Sequence, residues 1–283
     1  MKKFRFANGE LSQNGKGLIM GILNVTPDSF SDGGEFFNAE DAISHAKKML
    51  SDGADIIDVG AMSTRPGSVP VPYREEIRRL EPVLKELCVI DNAVISVDTV
   101  NPETADFALS MGVNIINDVS GCFNIDMASV VKKYRAGWIM THTANVPSGS
   151  VVDYPDGVVN AVKDFFDSFL CDCEKYGIGN EYICLDPGFG FAKTTDDNIE
   201  LLKNLEKIIR PDVAFLAALS RKRFIGEITD TPEADERLAG TLTADITALM
   251  KGSDLLRVHD VKETRQAIAI YNSIYNKGTT IYG

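Results

Sequence analysis

Histidine and cysteine are scarce in this chain, which has three histidines and five cysteines among 283 residues. The cysteines are odd in number and scattered, and Cys171 and Cys173 form C-x-C rather than C-x-x-C. This pattern is typical of reduced thiols in a cytoplasmic protein. It argues against a disulfide framework and against a zinc site.

Long apolar runs and an excess of positive charge are also missing. No run approaches the ~18 apolar residues of a membrane-spanning helix, and the N-terminus lacks the apolar stretch of a signal peptide. The 29 basic residues against 41 acidic ones give a formal net charge of −12. Such a surface repels phosphate polymers. We therefore predict a protein that binds neither membranes nor nucleic acid.

Eight short apolar runs are present instead, each followed by a segment with helical spacing. They begin at Leu18, Ile56, Ala93, Val113, Trp138, Tyr182, Val213 and Leu255. Continuous apolar strands are typical of a parallel sheet covered on both faces, and eight βα units close into a barrel. A doubly wound open sheet is the main alternative, but no G-x-G-x-x-G turn follows the first strand.

We therefore expect one α/β domain over residues 1–283, a (β/α)8 TIM barrel. Residues 4–14 contain Asn8-Gly9 and predict a short N-terminal β-hairpin at the bottom of the barrel. Asn38 can cap the first connecting helix, and Pro82 predicts a kink or a break in the second. Later helices are expected over residues 103–111, 126–135, 157–176, 197–209, 234–250 and 261–275.

Polar residues follow the predicted strands, and in a βα barrel the carboxyl ends of all strands face one mouth. The residues that are cationic, or can become so, come from three loops and are Arg65, Lys222, Arg257 and His259. In an otherwise acidic chain they predict a local anion site. The loops after strands seven and eight commonly bind phosphate in barrels, so a phosphoryl group is the favoured anion.

Hydrogen-bond acceptors are predicted on the opposite side of the mouth. Asp98, Asn117 and Asp186 combine carboxylates with an amide, which suits a flat, nitrogen-rich heterocycle such as a pterin or a purine. Taken singly, each residue is also typical of a turn or a helix cap. We interpret Asp58 and Asp118 in that structural way, because a neighbouring residue can supply the site.

Seven motifs in this order resemble those of the dihydropteroate synthase family. They are MGILNVTPDSFSDGG, DIIDVGAMSTRPG, ISVDT, IINDVSG, LDPGFGFAKT, LSRKRFIG and LLRVHDVKET. The resemblance implies a (β/α)8 barrel that joins 6-hydroxymethyl-7,8-dihydropterin diphosphate to p-aminobenzoate. The products are diphosphate and 7,8-dihydropteroate, a precursor of folate. The resemblance also implies a cytoplasmic homodimer and a target of sulfonamides.

The same resemblance implies roles for individual residues. The implied pterin contacts are Asp98, Asn117, Asp186 and Lys222, with Arg257 on the ring face. The implied diphosphate contacts are Asn24, Arg65, Arg257 and His259, with Mg²⁺ held by diphosphate oxygens and Asn24. The implied aminobenzoate pocket consists of Phe30, Thr64, Pro66, Phe191 and the start of the helix after Ser220. Of these residues, the catalytic candidates are Asp98, Asp186 and Lys222.

The chain departs from the family pattern after the fifth strand, where MTHTANVP stands in place of the common Met-His-Met. We assign no pterin contact to Thr141 or Thr143 for that reason. An arylamine nucleophile needs no strong general base, which agrees with the lack of a Ser-His-Asp or Cys-His set. Two alternatives stay open: a pterin-binding methyltransferase domain, which needs no diphosphate site, and a non-catalytic pterin binder.

Overall fold

The computed structural model describes residues 2–12, 17–25, 39–62, 71–143 and 151–275. The described chain begins with an antiparallel hairpin in which β1 (Lys3–Phe6) pairs with β2 (Gly9–Ser12). Phe4 and Phe6 are buried in an apolar cluster with inward-facing strand residues such as Ile115. A Cβ on Gly137 would lie 2.9 Å from Phe4 Cζ, so the Phe4 ring fills space beside that glycine. The predicted hairpin is confirmed.

Within the described residues, eight parallel strands close into a barrel. They are β3 (Leu18–Asn24), β4 (Ile56–Gly60), β5 (Ile95–Asp98), β6 (Ile115–Asp118), β7 (Gly137–Thr141), β8 (Ile183–Asp186), β9 (Ala214–Ala217) and β10 (Leu255–Val258). Each strand pairs with the next in the chain, and β10 also pairs with β3 and closes the ring. Nearly every strand residue is buried, which explains the continuous apolar runs. The TIM-barrel prediction is confirmed.

Helices follow the strands and cover the outside of the barrel. In the described part of the chain they are α1 (Ala39–Ser51), α2 (Tyr73–Leu87), α3 (Pro102–Ser110), α4 (Ile125–Tyr134), α5 (Val158–Tyr176), α6 (Thr195–Lys203), α7 (Arg223–Thr229), α8 (Leu238–Met250) and α9 (Val261–Tyr275). Both α7 and α8 lie between β9 and β10. None of these helices has the length and hydropathy needed to cross a membrane.

Four helix predictions differ from the structure or fall outside it. Helix α8 begins at Leu238 rather than at residue 234, after a 3₁₀ turn over Asp235–Arg237. Helix α2 continues through Pro82 without a break, because Leu80, Val83, Leu84 and Leu87 bury one face and packing outweighs the missing backbone hydrogen bond. Helix α6 ends at Lys203, and a 3₁₀ turn replaces the predicted last part. The predicted cap Asn38 lies outside the described residues.

Candidate active site

The carboxyl ends of the strands bring together the described members of the predicted site. Asp98 lies opposite Asn117 in the pairing of β5 with β6, and Asn24 lies opposite Gly60 in the pairing of β3 with β4. Asp186 ends β8, and its carboxylate is buried. The other predicted contacts Phe30, Thr64, Arg65 and Pro66 lie outside the described residues, so their placement stays a prediction.

An ion-pair network centred on Arg257 occupies the middle of this ring. Arg257 Nε donates to Asp58 Oδ2 at 2.7 Å, and its Nη2 donates to Asp98 Oδ2 at 2.8 Å. Asn117 Nδ2 donates to the same Asp58 oxygen at 2.9 Å. One guanidinium therefore links strands β4, β5 and β10, and its planar fork fixes the direction of both carboxylates.

Asp58 is the residue whose importance sequence reasoning missed. It is fully buried and serves as an anchor for Arg257 and Asn117 rather than as a turn or cap residue. The only available signal was its inward register on β4, one residue before Val59 in the motif DIIDVG. Asp118 is structural as expected, because it accepts hydrogen bonds from Trp138 Nε1 and the Ser120 backbone.

The buried carboxylates depend on nearby cations for their charge. Burial raises the pKa of Asp98 to about 7, while the positive charge of Arg257 opposes that rise. Burial also raises the pKa of Asp186 above its ordinary value, and a hydrogen bond from the Gly188 backbone and the charge of Lys222 act in the opposite direction. Burial therefore opposes the charge of both carboxylates, and the neighbouring cations favour it.

Lys222 lies at the N-cap position of α7, with its Nζ 4.5 Å from the centre of the Phe191 ring. This distance is within the range of a cation–π contact. Burial lowers the pKa of Lys222 to about 8, and attraction to Asp186 opposes the shift. The structure thus places a predicted pterin contact directly against a predicted wall of the aminobenzoate pocket.

His259 is held by Ser220 at the end of β10. The Ser220 hydroxyl oxygen accepts from the His259 backbone N–H at 3.2 Å and lies 3.0 Å from His259 Nδ1. Burial, followed by the charges of Arg221 and Arg257, lowers the pKa of His259 to about 3. Burial therefore favours the neutral imidazole of His259 in this structure, and its role at the diphosphate site stays a prediction.

The implied magnesium site lies beside Asn24 at the end of β3. A Cβ on Gly60 would lie 3.8 Å from Asn24 Oδ1 and 3.5 Å from Asp98 Cβ, so the bare glycine leaves a cradle between these two side chains. Among the described residues, no group of three or more His, Cys, Asp or Glu side chains could hold a metal ion. A single amide oxygen fits Mg²⁺, because this ion keeps several waters and takes further ligands from substrate phosphates.

Comparison with known proteins identifies relatives of this chain. The model of the family described as "Pterin binding enzyme" matches residues 20–259. A dihydropteroate synthase of Synechocystis sp. is 40% identical over 260 residues, which cover 91% of this chain and 90% of that relative.

Two solved structures extend the similarity to three dimensions. One is a Xanthomonas albilineans dihydropteroate synthase with 4-aminobenzoic acid, with a TM-score of 0.90, 37% identity, and coverage of 98% of this chain and 99% of that one. The other is the Yersinia pestis dihydropteroate synthase with a sulfonamide drug complex, with a TM-score of 0.89 and 33% identity. This match covers 97% of this chain and 99% of that one. The chain therefore belongs to the pterin-binding enzymes and, among them, to the dihydropteroate synthase family, transferases of folate biosynthesis.

Proposed function

We propose that the whole chain is one catalytic domain that joins 6-hydroxymethyl-7,8-dihydropterin diphosphate to p-aminobenzoate, and that the ring of strand ends is its active site. The observation that carries the assignment of the site is the Arg257 network, which places a guanidinium against two buried carboxylates. This arrangement combines acceptors for a heterocycle with a cation for a phosphoryl group. The 4-aminobenzoic acid bound by the Xanthomonas albilineans relative supports the second substrate.

In this proposal the pterin binds between strands β5, β6 and β8. The carboxylate of Asp186 accepts from ring N–H groups, Asn117 supplies an amide, and the Lys222 ammonium donates to a ring acceptor. When the C–O bond to diphosphate breaks, positive charge spreads into the ring. Asp98 then stabilises that charge, which requires its carboxylate form and therefore the presence of Arg257.

The diphosphate is bound by Arg257, His259 and Asn24, together with Arg65 from outside the described residues. The Ser220 hydroxyl is positioned to donate to His259 Nδ1, which leaves Nε2 as the protonated nitrogen of a neutral ring. His259 thus binds a phosphate oxygen as a neutral donor. Mg²⁺, held by Asn24 and the substrate, would neutralise charge on the leaving group when bound.

The aminobenzoate is placed against Phe191 and the start of α7, with Phe30, Thr64 and Pro66 completing the pocket. Phe191 is buried and already carries Lys222 on its ring face. The arylamine attacks the carbon that loses diphosphate, and its proton leaves to water after the C–N bond forms. The sulfonamide complex of the Yersinia pestis relative supports sulfonamides as inhibitors at this site.

Release of diphosphate in a coupled assay tests the proposed function. We expect diphosphate and 7,8-dihydropteroate in equal amounts when pterin diphosphate, p-aminobenzoate and Mg²⁺ are all present. Omission of the aminobenzoate is the control for simple hydrolysis, and addition of EDTA is the control for the metal. Binding of pterin diphosphate without either product would contradict a catalytic role and favour a non-catalytic pterin binder.

The charge of Lys222 predicts how catalysis depends on pH. Because kcat/KM reports groups of the free enzyme, we expect it to fall as pH rises through about 8, where the Lys222 ammonium loses its proton. In Lys222→Arg the guanidinium stays charged, so the ratio of variant to parent kcat/KM should increase about tenfold between pH 7 and pH 9. A ratio that does not change with pH would show that Lys222 does not titrate in this range.

We also propose that the chain acts as a homodimer in the cytoplasm, with small-molecule substrates, and without nucleic-acid or membrane partners. Large apolar side chains are exposed on the last two helices and support a contact with a second copy there. They are Met250, Ile270, Ile274 and Tyr275. The unpaired cysteines support a reducing compartment.

A further inference from the structure

A buried lysine, Lys193, lies in the loop after β8 and has no role in the proposed reaction. Lys193 is 7% exposed, and among the described residues no carboxylate lies close enough to form an ion pair with it. Its Nζ instead contacts His142 Nδ1 at 3.0 Å, the Gly188 carbonyl at 2.9 Å and the Phe191 carbonyl at 3.2 Å. Burial of an ammonium that contacts only uncharged groups costs free energy. This cost indicates that the charge of Lys193 has a function at this place.

These contacts join the ends of two neighbouring strands. The His142 backbone N–H donates to the Asp186 carbonyl at 2.8 Å, and the Asp186 carboxylate accepts from the Gly188 backbone at 2.8 Å. Lys193 then reaches back across the same loop to both Gly188 and His142. The side chain of Lys193 therefore holds together the loop that begins at Asp186 and carries Phe191.

The charge of Lys193 acts on Asp186 as well as on the loop. Its positive charge favours the ionised form of Asp186 and works against the burial that raises the pKa of this carboxyl group. Burial lowers the pKa of Lys193 to about 7, and it lowers the pKa of His142 to about 3, which keeps the imidazole neutral. The titratable groups that act on Lys193 are Asp186, His142, Lys222 and Asp197, and Tyr154 lies against the ring of His142.

We propose that Lys193 is a positioning residue for pterin binding: its ammonium fixes the loop that carries Asp186 and Phe191, and supplies positive charge behind the Asp186 carboxylate. This inference rests on the proposed function, because it assigns Asp186 to the pterin. Lys193 itself contacts protein groups only, and it acts through Asp186 and Phe191. The charged form of Lys193 predominates below neutral pH and is lost as pH rises through about 7, so its contribution to binding follows the same course.

The test is equilibrium binding of 6-hydroxymethyl-7,8-dihydropterin diphosphate, measured by calorimetry without aminobenzoate at pH 6 and pH 9. We expect Lys193→Met to raise Kd about tenfold at pH 6, where Lys193 of the parent protein is charged. At pH 9 the side chain at position 193 is uncharged in both proteins, so we expect Kd to rise by less than about threefold. The ratio of the two Kd values removes the titration of Lys222, which both proteins share. Lys132→Met is the matched control, because the Lys132 ammonium also donates to a carbonyl, that of Tyr176, but on the outer surface.

Lys193→Arg keeps a charge at all pH values and covers the case in which Lys193→Met does not fold. We expect its Kd to be near that of the parent at pH 6 and lower than that of the parent at pH 9. Kd ratios that are equal at the two pH values, for either variant, would show a packing role alone and overturn the inference. A parent protein that does not bind the pterin diphosphate at either pH would instead contradict the proposed function.

Discussion

Arg257→Met is expected to lower kcat/KM about a thousandfold, equivalent to about 4 kcal/mol, and to destabilise the fold by about 3 kcal/mol. The guanidinium is the shared partner of Asp58 and Asp98 at the strand ends, so its removal leaves two buried carboxylates facing each other. The pKa of Asp98 then rises above its present value of about 7, and the carboxyl group is protonated at neutral pH. The same substitution also removes the Arg257 guanidinium from the proposed diphosphate site.

Diphosphate release and urea unfolding measure the two effects separately. Arg265→Met is the matched control, because Arg265 also pairs with an aspartate, Asp55, but lies at the amino ends of β3 and β4, away from the mouth of the barrel. Its kcat/KM should stay within about twofold of the parent value. Adding Asp58→Asn to Arg257→Met should restore part of the stability and none of the activity. If Arg257→Met retained the parent kcat/KM, the network could not be the centre of the site.

Gly188→Ala is expected to destabilise the protein by more than about 4 kcal/mol. An added Cβ would lie 1.9 Å from the carbonyl oxygen of His142. The carbonyl is part of the backbone and the position of a Cβ is fixed by the backbone, so no side-chain rotation relieves the clash. The backbone at Gly188 also has a φ of +70°, where an L side chain is strained. The close approach is needed because Asp186, Gly188 and His142 share one set of hydrogen bonds.

Gly157→Ala is the matched control, because it introduces backbone strain without a steric clash. Gly157 has a φ of +85° and a ψ of 142°. Among the described residues, no atom beyond its chain neighbours lies within 4 Å of an added Cβ, so only the conformational cost of about 1–3 kcal/mol is expected. The fluorescence of Trp138, the single and fully buried tryptophan, reports unfolding in both variants. Equal losses of stability in the two variants would contradict the close packing of the loop after β8.

Much of the barrel and the ring of site residues could be predicted from local patterns. Apolar runs locate strands because both faces of a parallel sheet are buried, and the carboxyl ends of all strands lie at one mouth. Asp98, Asn117, Asp186 and Arg257 therefore had to converge once eight strands were recognised. None of these predictions required knowledge of contacts distant in sequence.

Sequence reasoning missed features that depend on such distant contacts, as well as the start of one helix. Asp58 is an anchor because Arg257, 199 residues away, reaches it. Burial, followed by the charge of Arg221, lowers the pKa of His259, although Arg221 is 38 residues away. Helix α8 begins later than residue 234 because the Arg237 side chain binds the carbonyls of Thr231, Pro232 and Arg221, and holds the preceding turn.

The closure of the barrel by β10 against β3 determines how the chain behaves while it is being made. Leu18 of β3 can pair with Leu255 of β10 only after β10 has been synthesised. At about 5–20 residues per second, synthesis of the roughly 240 intervening residues takes on the order of 10–50 s. For that time β3 presents a free edge that can pair with a strand of another nascent chain. Pairing between unfinished chains therefore competes with closure of the barrel until β10 has been made.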